Sequence, residues 1–329
     1  MLYSANIFAR FCSGKLLPLA DWGAAAVDKA MLENDQGPLW EPPKAEKPEL
    51  SLPERIALVR ELLAALDIVM GDISRTHFTG GLKEQSYDIV RRAAIIRQRE
   101  GLTAILSLCD TGSAAFGVCL LRPAYEEMLW LEYLSKHSDV ANELLHLMGQ
   151  ASIKEHMRVQ MDYLKRDGMH AVGFTMKFAK LFIASAPAAT AGIKAIGAKL
   201  GWRRESDKPS VAHIAQQVGR KDEYDYIYEA TSRFVHFSPH ELMRRAWGDH
   251  ETMHISSDHF AKYWALFSLH WGLRIFLNSI RAVHDIFPDD SAKRESYDKI
   301  TEIIQSGILP PVPIITEAEL DWSYMKRKT

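Results

Sequence analysis

SLPERIALVRELLAALDIVMGDI, residues 51–73, carries the pattern that decides the fold. Ile56, Val59, Leu62, Leu63, Leu66, Val69, Met70 and Ile73 recur at three- and four-residue spacing, with Arg60, Glu61, Asp67 and Asp72 on outward positions. That is the signature of an amphipathic helix. Ser51, Pro53 in the first turn and Glu54 three residues after the serine make a capping-box start, and Gly80-Gly81 is the expected stop.

Helical periodicity continues outward from there, over about residues 83–108, 112–136, 139–166 and 173–200, followed by a charged loop, Trp202 to Pro209. Ser210 opens a short helix ended by Gly219, and a tyrosine-rich helix is expected over about 222–237. Ser238-Pro239-His240-Glu241 then has serine at the cap, proline in the first turn and glutamate at the third position, so a new helix begins there. From Ser257 to Phe287 the chain is apolar nearly all round, with Phe260, Tyr263, Trp264, Phe267, Trp271 and Phe276, and Pro288 ends it. A last helix is expected near 290–306.

No run of alternating polarity is long enough to build a sheet, and no repeat at solenoid spacing is present. The expected fold is all-α, a multi-helix bundle with a long apolar central helix. Residues 1–50 are expected to form an amino-terminal helical extension over about 3–33 and a proline-rich connector, with Pro38, Pro42, Pro43 and Pro48. Residues 51–309 would be the bundle domain and 310–329 a carboxy-terminal tail. Leu2, Phe8, Phe11 and Trp22 suggest that the extension docks or makes a dimer contact, since free in water they would stay exposed.

With 329 residues, 47% of them hydrophobic and 25% charged, the chain has the apolar material for a substantial core. Its formal net charge of −2 argues against a surface-wide attraction to nucleic acid or anionic membrane and leaves room for a local basic patch. Cys12, Cys109 and Cys119 are too scattered for a disulfide framework or a paired zinc spacing, which fits a reducing cytoplasm. Arg10 and Lys15 break the short apolar runs at the amino terminus, so a secretory signal is not expected. Lys194 interrupts Leu181–Ala198, and His270 and Arg274 interrupt Tyr263–Ile280, so neither offers the ~20 apolar residues of a membrane span.

Tyr228, Ser232 and His236 stand four residues apart, so a helix would place them on one face. A polar row of this kind needs partners or a ligand if it faces the interior. Arg122 and Glu126 share a face of an otherwise apolar helix, which reads either as a structural ion pair or as an anion-binding arginine held by its carboxylate. His236 likewise reads as a satisfied core histidine or as a proton-transfer group, the latter helped by Arg233 three residues earlier and His240 beyond the break. His270 and Arg274, four apart in the apolar helix, must find acceptors or line a cavity, and are candidates to support the same site.

Two further patterns weigh less. His250-Glu251-Thr-Met-His254 matches a zinc-binding spacing, but Trp247-Gly248-Asp249 before it and the cap-like Ser256-Ser257 after it deny it the helix the motif needs, so no metal is expected. Tyr224, Tyr226 and Tyr228 with Trp202, Arg203, Arg204, Arg220 and Lys221 offer stacking and phosphate contacts. The interleaved Glu205, Asp207, Asp222, Glu223 and Asp225 favour a solvated face with a partly buried tyrosine ridge instead.

Arg122 with Glu126 or Glu127, followed by Tyr228, Ser232, His236 and Ser238, resembles a bacterial all-helical family known only as a domain of unknown function, over roughly residues 55–290. A more distant likeness is to the HEPN superfamily of helical bundles, many of which are dimeric metal-independent ribonucleases of toxin and antiviral systems. Their arginine is followed after four to six residues by a histidine. Arg233 and His240 meet that spacing, with Phe234 in place of the usual polar neighbour, and Arg244 and Arg245 precede His250 at permitted distances.

The resemblance implies a protein of a stress or antiphage defence system that acts on RNA, with RNA and a second copy of the chain as partners and no cofactor. In that reading His236 or His240 transfers protons and Arg233 or Arg122 holds phosphate, while Glu126, Tyr228, Ser232, His270 and Arg274 complete the site. The alternative is a non-enzymatic interaction module in which the same residues are internal scaffolding.

Overall fold

The computed structural model describes residues 50–75, 80–184, 186–202, 208–248, 252–287, 297–298, 301 and 312–315. The expected amino-terminal helices, most of the proline-rich connector, Arg203 and Arg204, His250 and Glu251, most of the last helix and most of the tail lie outside the described residues. Compactness divides the chain into Met1–Ala57 and Leu58–Thr329. In the first unit, Glu54 Oε2 accepts from both the backbone N–H and the hydroxyl of Ser51, each at 2.7 Å, which starts the helix.

In chain order the helices are α1 Leu52–Met70, α2 Leu82–Asp110, α3 Ala114–Lys136, α4 Ser138–Ala171, α5 Met176–Ala184, α6 Ala186–Lys199, α7 Val211–Val218, α8 Lys221–Val235, α9 Pro239–Met243 and α10 Ala261–Ala282. A short 3-10 turn follows at His284–Ile286. The protein is all-α. Two sequence expectations need correction. Helix α1 stops ten residues short of Gly80-Gly81, because Gly71 turns the chain at a φ of 62°, a left-handed conformation that glycine adopts at little cost. And β1 Ala246–Gly248 pairs antiparallel with β2 Met253–Ile255, strands of three residues each, too short to show an alternating pattern in sequence.

Other boundaries follow from local chemistry. Ser210 Oγ accepts from the His213 N–H at 3.2 Å to start α7, and Gly219, at a φ of 80°, ends it. Ser238 caps α9, with Pro239 in its first turn. The expected helix over 173–200 forms as the two helices α5 and α6.

In the second unit α3 packs against α2, α7, α8 and α10, while α4 carries α5 and α6. Val118, Leu121, Tyr125, Met128 and Leu129 of α3 are at most 1% exposed, and Phe267, Leu269, Leu273 and Phe276 of α10 are equally sealed. The two helices approach closely at Gly117, where an added Cβ would lie 3.1 Å from Ser268 Oγ, so a larger residue would push them apart. Arg244 holds the α9 and β-hairpin region to the start of α10 by stacking over Trp264 at 4.4 Å while it pairs with Glu241 at 3.2 Å. Among the described residues no helix is long and apolar enough to cross a membrane.

Candidate functional site

Helix α3 buries one stripe in the core and turns Arg122 and Glu126 onto its flank toward α8, where Ile227, Ala230 and Thr231 are buried and Tyr228 and Ser232 lie beside them. The Arg122 guanidinium sits at the meeting point. Its Nε donates to Glu126 Oε1 at 3.1 Å, its Nη1 lies 3.4 Å from both Ser232 Oγ and His236 Nε2, and its carbon stands 4.4 Å from the centre of the Tyr228 ring. Five residues named from sequence spacing therefore form one cluster: Arg122, Glu126, Tyr228, Ser232 and His236. Partial burial works against the charge of Arg122, but Glu126 and then Tyr228 outweigh it and raise the guanidinium further above neutral pH.

Two features of the cluster differ from the expectation. Helix α8 ends at Val235, so His236 reaches Arg122 from the cap position, at φ −110° and ψ 160°, not from within the helix. The cause lies ahead of it: Pro239 forces the residue before it out of the helical region, and Ser238 must be extended to cap α9. The cluster is also not internal. Arg122 and Glu126 keep 23% and 31% of their side chains exposed, Tyr228 is 37% exposed, and His236 is exposed.

Arginine can only donate, so the imidazole nitrogen facing Arg122 is assigned as the acceptor and the proton as residing on Nδ1. The arrangement presents a fixed cation, a basic nitrogen, a hydroxyl and an aromatic face to solvent. It suits an anion whose neighbouring group loses or gains a proton.

The remaining candidates fall elsewhere. Arg233 donates to Glu229 at 2.8 Å on the next face of α8, and His240 Nδ1 lies 3.7 Å from Glu241 Oε1 on the far side of the helix break. Arg233 and His240 therefore share no helical face. His270 is buried against Trp271, whereas Arg274 is exposed, stacks on Trp271 and donates to Glu223 at 2.7 Å. His254 lies on the exposed strand β2, so the helical spacing of the zinc motif does not hold, and the described residues contain no cluster of metal ligands.

Sequence reasoning missed a charge network that joins α3, α8 and α10. Arg220 donates through Nε and Nη2 to Glu132 at 2.8 Å and through Nη1 to Glu223 at 3.1 Å, while Glu223 also accepts from Arg274 and, at 3.1 Å, from the Tyr125 hydroxyl. Burial first, then the adjacent Glu223, makes the Tyr125 hydroxyl harder to ionise. Arg220 and Glu223 at the start of α8 gave a three-residue signal, but Glu132 is 88 positions from Arg220 and has no local cue.

The same network removes Arg220 from any base-stacking surface. Lys221 is paired with Asp225, Trp202 is buried and donates to the Tyr133 hydroxyl at 2.8 Å, and Tyr226 donates to the Val312 carbonyl at 2.5 Å. Only Tyr224 and Tyr228 of the tyrosine ridge meet as a tilted pair, 5.5 Å apart, beside Arg122.

A family model described as a family of unknown function, DUF5677, matches residues 88–254. No curated protein and no solved structure matches the chain. The matched span contains the whole Arg122 cluster with Arg233 and His240, and it leaves out His270 and Arg274.

Proposed function

The chain belongs to the DUF5677 family of unknown function, and we propose that its Arg122–His236 cluster is a phosphate-handling site for RNA, of the metal-independent, HEPN-like kind. What supports this reading is that His236 is exposed and faces Arg122 at 3.4 Å in a solvent-open cluster, where a sealed histidine would have spoken for scaffolding. Arg122 holds a phosphate oxygen and Tyr228 stacks a base. His236 Nε2 takes the proton of a ribose 2′-hydroxyl as its oxygen bonds to phosphorus; the bond from phosphorus to the 5′-oxygen breaks, and that oxygen leaves with a proton from water. The products are a 2′,3′-cyclic phosphate end and a 5′-hydroxyl end, and His236 returns its proton to solvent.

Cleavage of a mixed RNA pool in excess EDTA, by wild type and by His236→Ala after both are shown folded, tests this. Cleavage by wild type alone supports it. Equal cleavage by both, or by neither, removes His236 from the chemistry.

A second reading, a non-enzymatic interaction module, is favoured by Phe237, Met243 and Ile255, which are 85%, 65% and 79% exposed close in sequence to the cluster. Apolar side chains left in water near a site are what a partner or a second copy would cover. RNA-independent dimerisation of wild type that Phe237→Glu abolishes, with no cleavage by either protein, would decide for it.

A further inference from the structure

Between α2, α3 and α10 lies a cavity of about 250 Å³ walled by Leu102, Ile105, Leu121, Pro123, Ile275 and Phe276. Gln98 and Glu127 stand at its polar end, on α2 and α3. Both bring a buried oxygen with no hydrogen-bond partner: Gln98 Oε1 and Glu127 Oε2. Gln98 is 4% exposed, and its Nε2 donates to the Ala124 carbonyl at 3.2 Å, which fixes the amide so that the oxygen is the free end. Glu127 is paired through its other oxygen with Arg97, whose side chain is 72% exposed and marks the way out to solvent.

An acceptor buried without a donor is costly, and two lining one apolar cavity call for the same missing group. Arg97 and Glu127 balance each other, so a net charge on a ligand would be desolvated among apolar walls with nothing to compensate it. An apolar cavity of ~150 Å³ accommodates benzene, so this one has room for a one- or two-ring molecule. Burial, only partly countered by Arg97 and Gln98, pushes the Glu127 carboxyl up. From the cavity and its two unpartnered acceptors we infer that this second site binds a small, neutral, apolar ring compound carrying one O–H or N–H donor, which is shared by Gln98 Oε1 and Glu127 Oε2. It is separate from the Arg122 cluster.

Phenol and toluene, matched in size and differing in the donor, are the probes, followed by ligand-observed NMR titration of the full chain. Phenol should bind wild type at least tenfold more tightly than toluene. Gln98→Met should weaken that preference and leave toluene binding in place. Gly101→Leu should block both ligands: Gly101 lines the cavity, an added Cβ there meets nothing within 4 Å, and leucine is the better helix former, so the fold is kept. Equal binding of phenol and toluene by wild type, binding of neither, or phenol binding undiminished in Gly101→Leu would each overturn the assignment.

Discussion

Replacing Arg220 with methionine separates the two arginine clusters by what they hold together. Arg220 is 23% exposed in its side chain and contacts Glu132 and Glu223, each 17% exposed, with three of its nitrogens. Removing one partner of a fully buried ion pair costs about 3–5 kcal/mol, because the other charge stays behind unpaired. Water reaches the one-fifth of these groups that is open, and Arg274 still serves Glu223, so the expected loss is about 2–3 kcal/mol. At a urea slope of about 3 kcal/mol per molar, that moves the unfolding midpoint down by about 0.7–1 M. Arg122→Met should shift it by about half as much. Its ion pair with Glu126 lies within one helix and is worth about 0.3–0.5 kcal/mol, and its stacking on Tyr228 adds about 0.5–1 kcal/mol at a partly exposed position. Urea titrations followed by tryptophan fluorescence measure both. A midpoint change under 0.3 M for Arg220→Met, or an equal change for the two variants, would refute the division into a structural and an available cluster.

Gly197→Ala should destabilise by about 1–3 kcal/mol, since the new Cβ would lie 2.5 Å from Cε3 of the buried Trp202 and the ring cannot move without stretching its bond to Tyr133; a thermal melt unchanged from wild type would contradict this. Glu127 binds its proton more tightly folded than unfolded, so it favours the folded state at low pH, and this contribution is lost as pH rises from about 4.5 through its raised native value. Glu127→Gln should therefore weaken the fall in stability over that window, read as the difference between wild-type and variant unfolding curves at matched pH. Burial pushes the Cys109 thiol from 9.0 up to about 11, a thiolate fraction about a hundredfold smaller at pH 8, so a thiol reagent should label it far more slowly in native protein than in urea, in a Cys12→Ser, Cys119→Ala background.

The helices were legible because their signals are local. Ser210, Gly219, Ser238 and Pro239 each act on backbone within a few residues, and the structure ends or starts a helix at each of them. The β1–β2 pair was not, because strands of three residues are too short to show a period. At the site, spacing brought out Tyr228, Ser232 and His236 as a group, although His236 joins it from an extended cap position that a helical wheel does not represent. Four-residue spacing paired Glu126 with Arg122, while the family likeness left Glu126 and Glu127 open. Packing splits them: Glu126 faces α8 and holds Arg122, and Glu127 faces Arg97 and the cavity. Glu132 was missed because its partner comes from a helix far along the chain, a pairing that only the packing of α3 on α8 creates.

Under the phosphate reading proposed above, donor counting favours Arg122 over the better-bonded Arg220 as the cation that takes the ligand. A guanidinium offers five N–H donors. Arg220 directs Nε, Nη1 and Nη2 at two carboxylates, so an incoming phosphate would have to displace anions already held at 2.8 to 3.1 Å and would meet their repulsion. Arg122 gives Nε to one carboxylate and turns Nη1 toward a hydroxyl and an imidazole, both at the long distance of 3.4 Å. On the proposed reading a phosphate oxygen replaces those two contacts without displacing a carboxylate, and His236 Nε2 is then free to take a proton. Glu126 keeps the guanidinium oriented throughout. The proposed site therefore predicts that inorganic phosphate perturbs the His236 ring signals in an NMR titration of wild type and leaves them unmoved in Arg122→Met; unmoved signals in wild type would count against the reading.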